Sequence, residues 1–252
     1  NIQYVGGIVG IAGTISNCTT SGAINMAGGR MENVGGIAGR VYSSTTNCIS
    51  NMSITLNSNA NKYGISNIQY VGGLVGNGVT ITNCTTNGTI TASASNSFDS
   101  YYAQINYVGG LVGTAYTISS SSASGAINIK SGKSAQYVGG IAGYLRNGVN
   151  KSYSTMNISV TPEGQNIGGY GYSTTINQCY STGNVTAANS SYVGGFLGYG
   201  ASKIDQSYST GNVTGASYVG GFIGQGTYGT INNSYTTGNV TGSGSNVGGF
   251  IG

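Results

Sequence analysis

Apolar residues in this chain come in short bursts broken by glycine, and the bursts recur. The clearest is Val-Gly-Gly, two apolar residues and Gly. It opens at Val5, Val34, Val71, Val108, Val138, Val193, Val219 and Val247, with a degenerate copy at Ile167. The intervals are 29, 37, 37, 30, 29, 26, 26 and 28 residues. A second phrase lies between successive copies, most regular at residues 176–185, 204–213 and 231–240. It reads Ile-x-x-Cys/Ser-Tyr, a Ser/Thr-Thr-Gly-Asn turn and Val. Each repeat thus holds three runs rich in β-branched or aromatic residues, bounded by Gly, Asn or Ser, as short strands are. No segment sustains a helical period.

Three strands and three corners in 26 to 37 residues predict one coil of a single-stranded parallel β-helix, each coil buried by its neighbours. The chain reads as one solenoid domain, residues 1–252, of about eight such coils plus a ninth opening phrase. Equivalent residues should stack about 4.8 Å apart. Val219 and Phe222 are an odd number of residues apart, so a straight strand would point them to opposite faces. A bend at Gly220 and Gly221 would turn both inward.

Composition narrows the function more than it names it. Only 5% of the 252 residues are charged, against roughly 25% in ordinary soluble proteins. With 38% hydrophobic residues, disorder is a poor fit. The net charge of +4 is scattered between Arg30 and Lys203, whereas nucleic-acid binding needs a dense basic stripe. No stretch reaches the roughly 18 apolar residues of a membrane span. The chain has no signal peptide and no initiating Met, so we expect a mature chain or a fragment.

The candidate chemistry is sparse. The acids are Glu32, Asp99, Glu163 and Asp205, in repeats one, three, five and seven, and there is no His. Paired carboxylates for glycoside hydrolysis, an imidazole base for a nucleophile and clustered carboxylates for calcium are all missing, so we expect neither catalysis nor a cofactor. Cys18, Cys48, Cys84 and Cys179 share one repeat position with Ser121, Ser152, Ser207 and Ser234. That position wants a small, inward side chain; a Cys18–Cys48 or Cys48–Cys84 disulfide is also compatible with the coil spacing.

Tyr153, Tyr180, Tyr208 and Tyr235 form one expected ladder, and Tyr4, Tyr70, Tyr107, Tyr137, Tyr192 and Tyr218 another. They read as stacked amphipathic rings, with a sugar-binding strip as the sharper alternative. Asn-x-Ser/Thr at Asn184, Asn212 and Asn239 reads as corner asparagine before glycosylation. The two 37-residue intervals place extra length near residues 57–67 and 92–104. Insertions in a solenoid become loops on one face, often the binding face. Tyr63, Phe98, Asp99, Tyr101 and Tyr102 are therefore the candidate ligand-binding residues.

Val-Gly-Gly-Leu-Val-Gly at residues 71–76 and Ile-x-x-Cys/Ser-Tyr-Ser-Thr-Gly-Asn-Val at residues 176–185 and 204–213 resemble the GLUG-motif repeats of large bacterial surface proteins, adhesin-like proteins among them. The resemblance implies an extracellular or cell-surface β-solenoid without shared catalytic residues. We expect a stalk or display scaffold whose partners are further domains of its own protein, surface glycans or host-cell ligands. One alternative is a filament subunit stacking on copies of itself end to end, because the sequence starts and stops at a Val-Gly-Gly phrase with no distinct cap. Another is a solenoid that binds carbohydrate or ice, the latter through the aligned Thr182, Thr210 and Thr237.

Overall fold

The structure is a computed structural model, and it describes residues 1–60, 66–96, 103–131, 133–227 and 229–252. It is a parallel β-solenoid with three sheets. Among the described residues there is no helix. The first sheet carries the Val-Gly segments, from Ile2–Gly6 through Ser66–Gly72 to Val247–Gly248. The second begins at Val9–Ser16 and ends at Thr230–Asn232. The third begins at Thr19–Gly28 and ends at Val240–Gly242. Pairing is parallel from coil to coil. Val5, Val34, Val71, Val108, Val138, Ile167, Val193, Val219 and Val247 form one continuous column.

Backbone crowding explains the three glycines of the phrase. A Cβ on Gly109, the first, would stand 2.0 Å from the Val112 carbonyl oxygen and 2.7 Å from Cα of Ala142 in the next coil. On Gly73, the second, it would stand 2.2 Å from the carbonyl oxygen of Gly110. On Gly113, the third, it would meet the Gly76 oxygen at 2.5 Å and the Tyr70 carbonyl carbon at 2.7 Å. Backbone cannot retreat as a side-chain tip can, so only hydrogen fits.

The expected bend is present, one residue later than expected. Strand Val219–Gly220 stops, Gly221 and Phe222 turn, and Ile223–Gly226 begins the second sheet. Val219 and Phe222 are both fully buried. Coil-to-coil hydrogen bonds run through the bend, as from the Leu74 N–H to the Leu111 carbonyl at 2.9 Å.

A second device breaks the two-residue alternation. Each residue before the Val column has a left-handed backbone, with φ between 52° and 60°: Tyr4, Asn33, Tyr70, Tyr107, Tyr137, Asn166, Tyr192, Tyr218 and Asn246. The kink lets residues three apart face inward, so Met31 and Val34, Ile68 and Val71, and Ile105 and Val108 are all fully buried. The residue before each Cys/Ser position is left-handed too: Asn17, Asn47, Asn83, Ser120, Lys151, Gln178, Gln206 and Asn233, with φ of 49° to 56°. Asn suits this conformation; tyrosine and lysine adopt it at a cost of roughly 1–2 kcal/mol.

Much of the extra length of the two long intervals is strand, which corrects the expectation of inserted loops at residues 57–67 and 92–104. The third-sheet strand Ile49–Ala60 carries residues 57–60, and Thr85–Asn96 carries residues 92–96. These two strands pair in register from Ile54 with Ile90 to Ala60 with Asn96. Residues 66–67 and 103–104 already belong to first-sheet strands Ser66–Gly72 and Ala103–Gly109. The added residues keep alternating, so Leu56, Ser58, Ala92 and Ala94 are buried. They widen the coil.

Candidate functional site

Tyr63, Phe98, Asp99, Tyr101 and Tyr102 lie outside the described residues. What the structure does place are the ladders, the cysteines, three of the acids and a pair of adjoining surface clefts.

The four cysteines are free thiols. The Cys18 thiol donates to the Ser16 carbonyl at 3.3 Å, Cys48 to Thr46 at 3.2 Å, Cys84 to Thr82 at 3.2 Å and Cys179 to Asn177 at 3.1 Å. Ser121, Ser152, Ser207 and Ser234 donate to the equivalent carbonyls, which is why Cys and Ser interchange. Burial raises the Cys84 and Cys179 thiols from the ordinary 9.0 to about 11. Raised, buried thiols are inert ones.

The degenerate copy puts Tyr170 where its neighbours have an aliphatic residue or Phe. It is fully buried and packs against Phe196 with ring centres 4.7 Å apart and planes tilted by 45°. Its hydroxyl donates to the Ser152 carbonyl at 2.5 Å. Desolvation holds its pKa well above the usual 10.0.

The first tyrosine ladder is whole, but the second is interrupted: Asn33 separates Tyr4, and Asn166 separates Tyr192 and Tyr218, from the Tyr70–Tyr107–Tyr137 stack, and the Tyr192 and Tyr218 rings are tilted by 33°. Tyr153, Tyr180, Tyr208 and Tyr235 stack at 4.7, 5.0 and 5.0 Å, within 6° of parallel. Tyr70, Tyr107 and Tyr137 stack at 5.1 Å per step, within 6°. In such stacks each ring covers its neighbour's face, so the ladders offer solvent mainly ring edges. The Asn column is structural as well: the side-chain oxygens of Asn157, Asn184 and Asn212 accept from the backbone N–H of Asn184, Asn212 and Asn239 at 2.9–3.0 Å.

Two of the three described acids, Glu32 and Asp205, sit in amide columns. Glu32 pairs with Arg30 and accepts from Gln3 Nε2 at 3.0 Å. Asp205 accepts from Asn233 Nδ2 at 3.0 Å. Glu163 opens the first-sheet strand Glu163–Gly168. Among the described residues no three His, Cys, Asp or Glu side chains converge as metal ligands do, and no helix is long and apolar enough to cross a membrane.

One surface feature was not foreseen. On the outer face of the second sheet, Arg40 aligns with Asn77, Asn77 with Thr114 and Thr114 with Tyr144. A cleft of about 280 Å³ runs along this row, lined by Arg40, Asn77, Thr114, Tyr116 and Arg146. It shares Asn77, Thr114 and Arg146 with a cleft of about 400 Å³ that backs onto the Tyr70–Tyr107–Tyr137 stack and Tyr144. The Arg40 guanidinium lies 4.7 Å from the centre of the Tyr42 ring. Tyr144 stands perpendicular to the stack, 6.2 Å from Tyr107 and 5.7 Å from Tyr137.

Comparison with known families matches the GLUG motif at residues 189–214 and again at 215–241. No curated protein and no solved structure matches the chain.

Proposed function

With residues 189–241 a GLUG repeat segment in a parallel β-solenoid, we propose that this protein is a stiff display rod or stalk of a bacterial surface protein and works outside the cell. The observation that carries the reading is continuity. In-register hydrogen bonding joins coil to coil along three sheets, and outward side chains repeat as hydrogen-bonded or stacked columns. A structure of this kind transmits load and holds attached parts at a fixed distance. Polar amides and hydroxyls in place of charges suit a surface whose spacing must survive changes in salt, since they are little affected by ionic screening.

The reading is non-catalytic. Glu32 and Asp205 are held by partners in separate coils, and the cysteines at positions 84 and 179 are buried and protonated at neutral pH. An antibody raised against the chain should label intact producing cells, and mild protease treatment should release the epitope without lysis. Labelling seen only after lysis would contradict the proposal.

A further inference from the structure

We infer that the cleft across the second sheet, between Arg40 and Arg146, binds an acidic polysaccharide through a carboxylate or sulfate group. Three observations carry this. The first is charge. The chain has three arginines; Arg30 is paired with Glu32, and the other two line one cleft. Neither Arg40 nor Arg146 has an acidic partner among the described residues, and no described acid lines the cleft. Two unneutralised guanidinium forks are suited to planar or tetrahedral oxyanions.

The second is the rest of the lining. Asn77 and Thr114 continue the register row that starts at Arg40, line the cleft together with Arg146, and offer an amide and a hydroxyl. Tyr116 is 52% exposed. Sugars present hydroxyls and apolar ring faces together, and this mixture meets both. Two charges are far too few for a nucleic-acid track.

The third is direction. The row crosses successive coils along the rod, so a chain of sugar residues lying parallel to the axis meets one strand after another. A stalk carrying such a cleft would grip a polymer along its side.

Calorimetric titration with oligogalacturonate, a heparin hexasaccharide, cellopentaose and a short poly-glutamate peptide tests the inference. One or both acidic oligosaccharides should bind saturably, weakening as salt rises, and the pair of probes identifies carboxylate or sulfate as the acid group. Cellopentaose should not bind. Arg40→Gln and Arg146→Gln should each weaken binding about tenfold, with their circular dichroism and melting unchanged. Lys203→Gln removes an exposed charge from the same sheet, outside the cleft, and should leave binding intact. The inference is overturned if neither acidic sugar binds, if the arginine variants bind as the parent does, or if Lys203→Gln loses as much. Poly-glutamate binding more tightly than both sugars would also overturn it, in favour of an acidic peptide.

Discussion

The solenoid has a wide half and a narrow half that share one corner. In the wide half, first-sheet strands Ser66–Gly72 and Ala103–Gly109 have 7 residues, and third-sheet strands Ile49–Ala60 and Thr85–Asn96 have 12. In the narrow half, Val219–Gly220 has 2, and the third sheet is broken into Tyr208–Ser209 and Val213–Gly215. The core follows the perimeter. Met31, Ile68, Ile105, Leu56 and Ile129 fill the wide coils. In the narrow ones Tyr170, Phe196, Phe222 and Phe250 form a column with ring centres 4.6–4.8 Å apart. The glycine corner is the same in both halves because its glycines pack on backbone of the neighbouring coil, whose position does not depend on core volume. Strand length and core can therefore vary while the stacking geometry stays constant.

The corner is the place to break that comparison. Gly109→Ala in the wide half and Gly220→Ala in the narrow half should each destabilise by about 4 kcal/mol or more, the range reserved for severe steric faults. At Gly220 an added Cβ would stand 2.0 Å from the Ile223 carbonyl oxygen. Gly13 has no atom near its missing Cβ, so Gly13→Ala should be neutral or gain up to about 1 kcal/mol. Urea denaturation measures all three. A tolerated alanine at Gly220 would mean that the two halves do not share a corner.

The core columns sharpen the contrast. Phe222→Ala should cost about 3–5 kcal/mol. Leu111→Phe, which imports the narrow half's residue into a filled wide coil, should cost about 1–3 kcal/mol by overpacking. If Leu111→Phe were stabilising, the wide core would hold unfilled space.

Alkaline pH should weaken both halves. The Cys84 and Cys179 thiols rise from 9.0 to about 11 on burial, and Tyr170 rises well above 10.0. Below about pH 8 these groups are protonated in folded and unfolded chains alike, and stability is level. Above it the unfolded chain releases protons that the fold retains. Stability should therefore fall as pH rises from 9 towards 11, measured as a falling urea midpoint. Cys84→Ser with Cys179→Ser should reduce the decline, leaving the part due to Tyr170, Cys48 and the ladder tyrosines Tyr107, Tyr180 and Tyr208, which burial also raises. A small effect is expected at the corner before the Cys/Ser position. Lys151→Asn should stabilise by about 1 kcal/mol, relieving a left-handed lysine with φ of 49°.

The coil, the columns and the inward Cys/Ser position were legible because each holds a set place within one of the two repeated phrases. The left-handed column before Val was not. Asn33, Asn166 and Asn246 carry its signal, but the other six positions hold tyrosine, a residue that does not advertise positive φ. Reading the three asparagines as the rule would have found the kink that puts Ile68 and Val71 on one face. The widening of the coil is hard to see in the sequence because added length alone does not distinguish loop from strand; the inward alternation of Leu56, Ser58 and the following residues does. The cleft was hidden for a different reason. Arg40, Asn77, Thr114 and Tyr144 meet through register, and the second sheet has an irregularity between Ala115 and Thr117. Unequal repeat lengths therefore obscure the relation of Arg146 to Tyr116 and Arg40.

In-register stacking over the whole rod is tested most directly by a distance between spin labels at Ile49 and Tyr235, both exposed. Six register steps join them, through Thr85, Ser122, Tyr153, Tyr180 and Tyr208. With the native cysteines replaced by serine, pulsed electron resonance should give one narrow distribution near 29 Å, six steps at about 4.8 Å. A broad distribution, or a centre displaced beyond the reach of the label arms, would contradict the continuous solenoid.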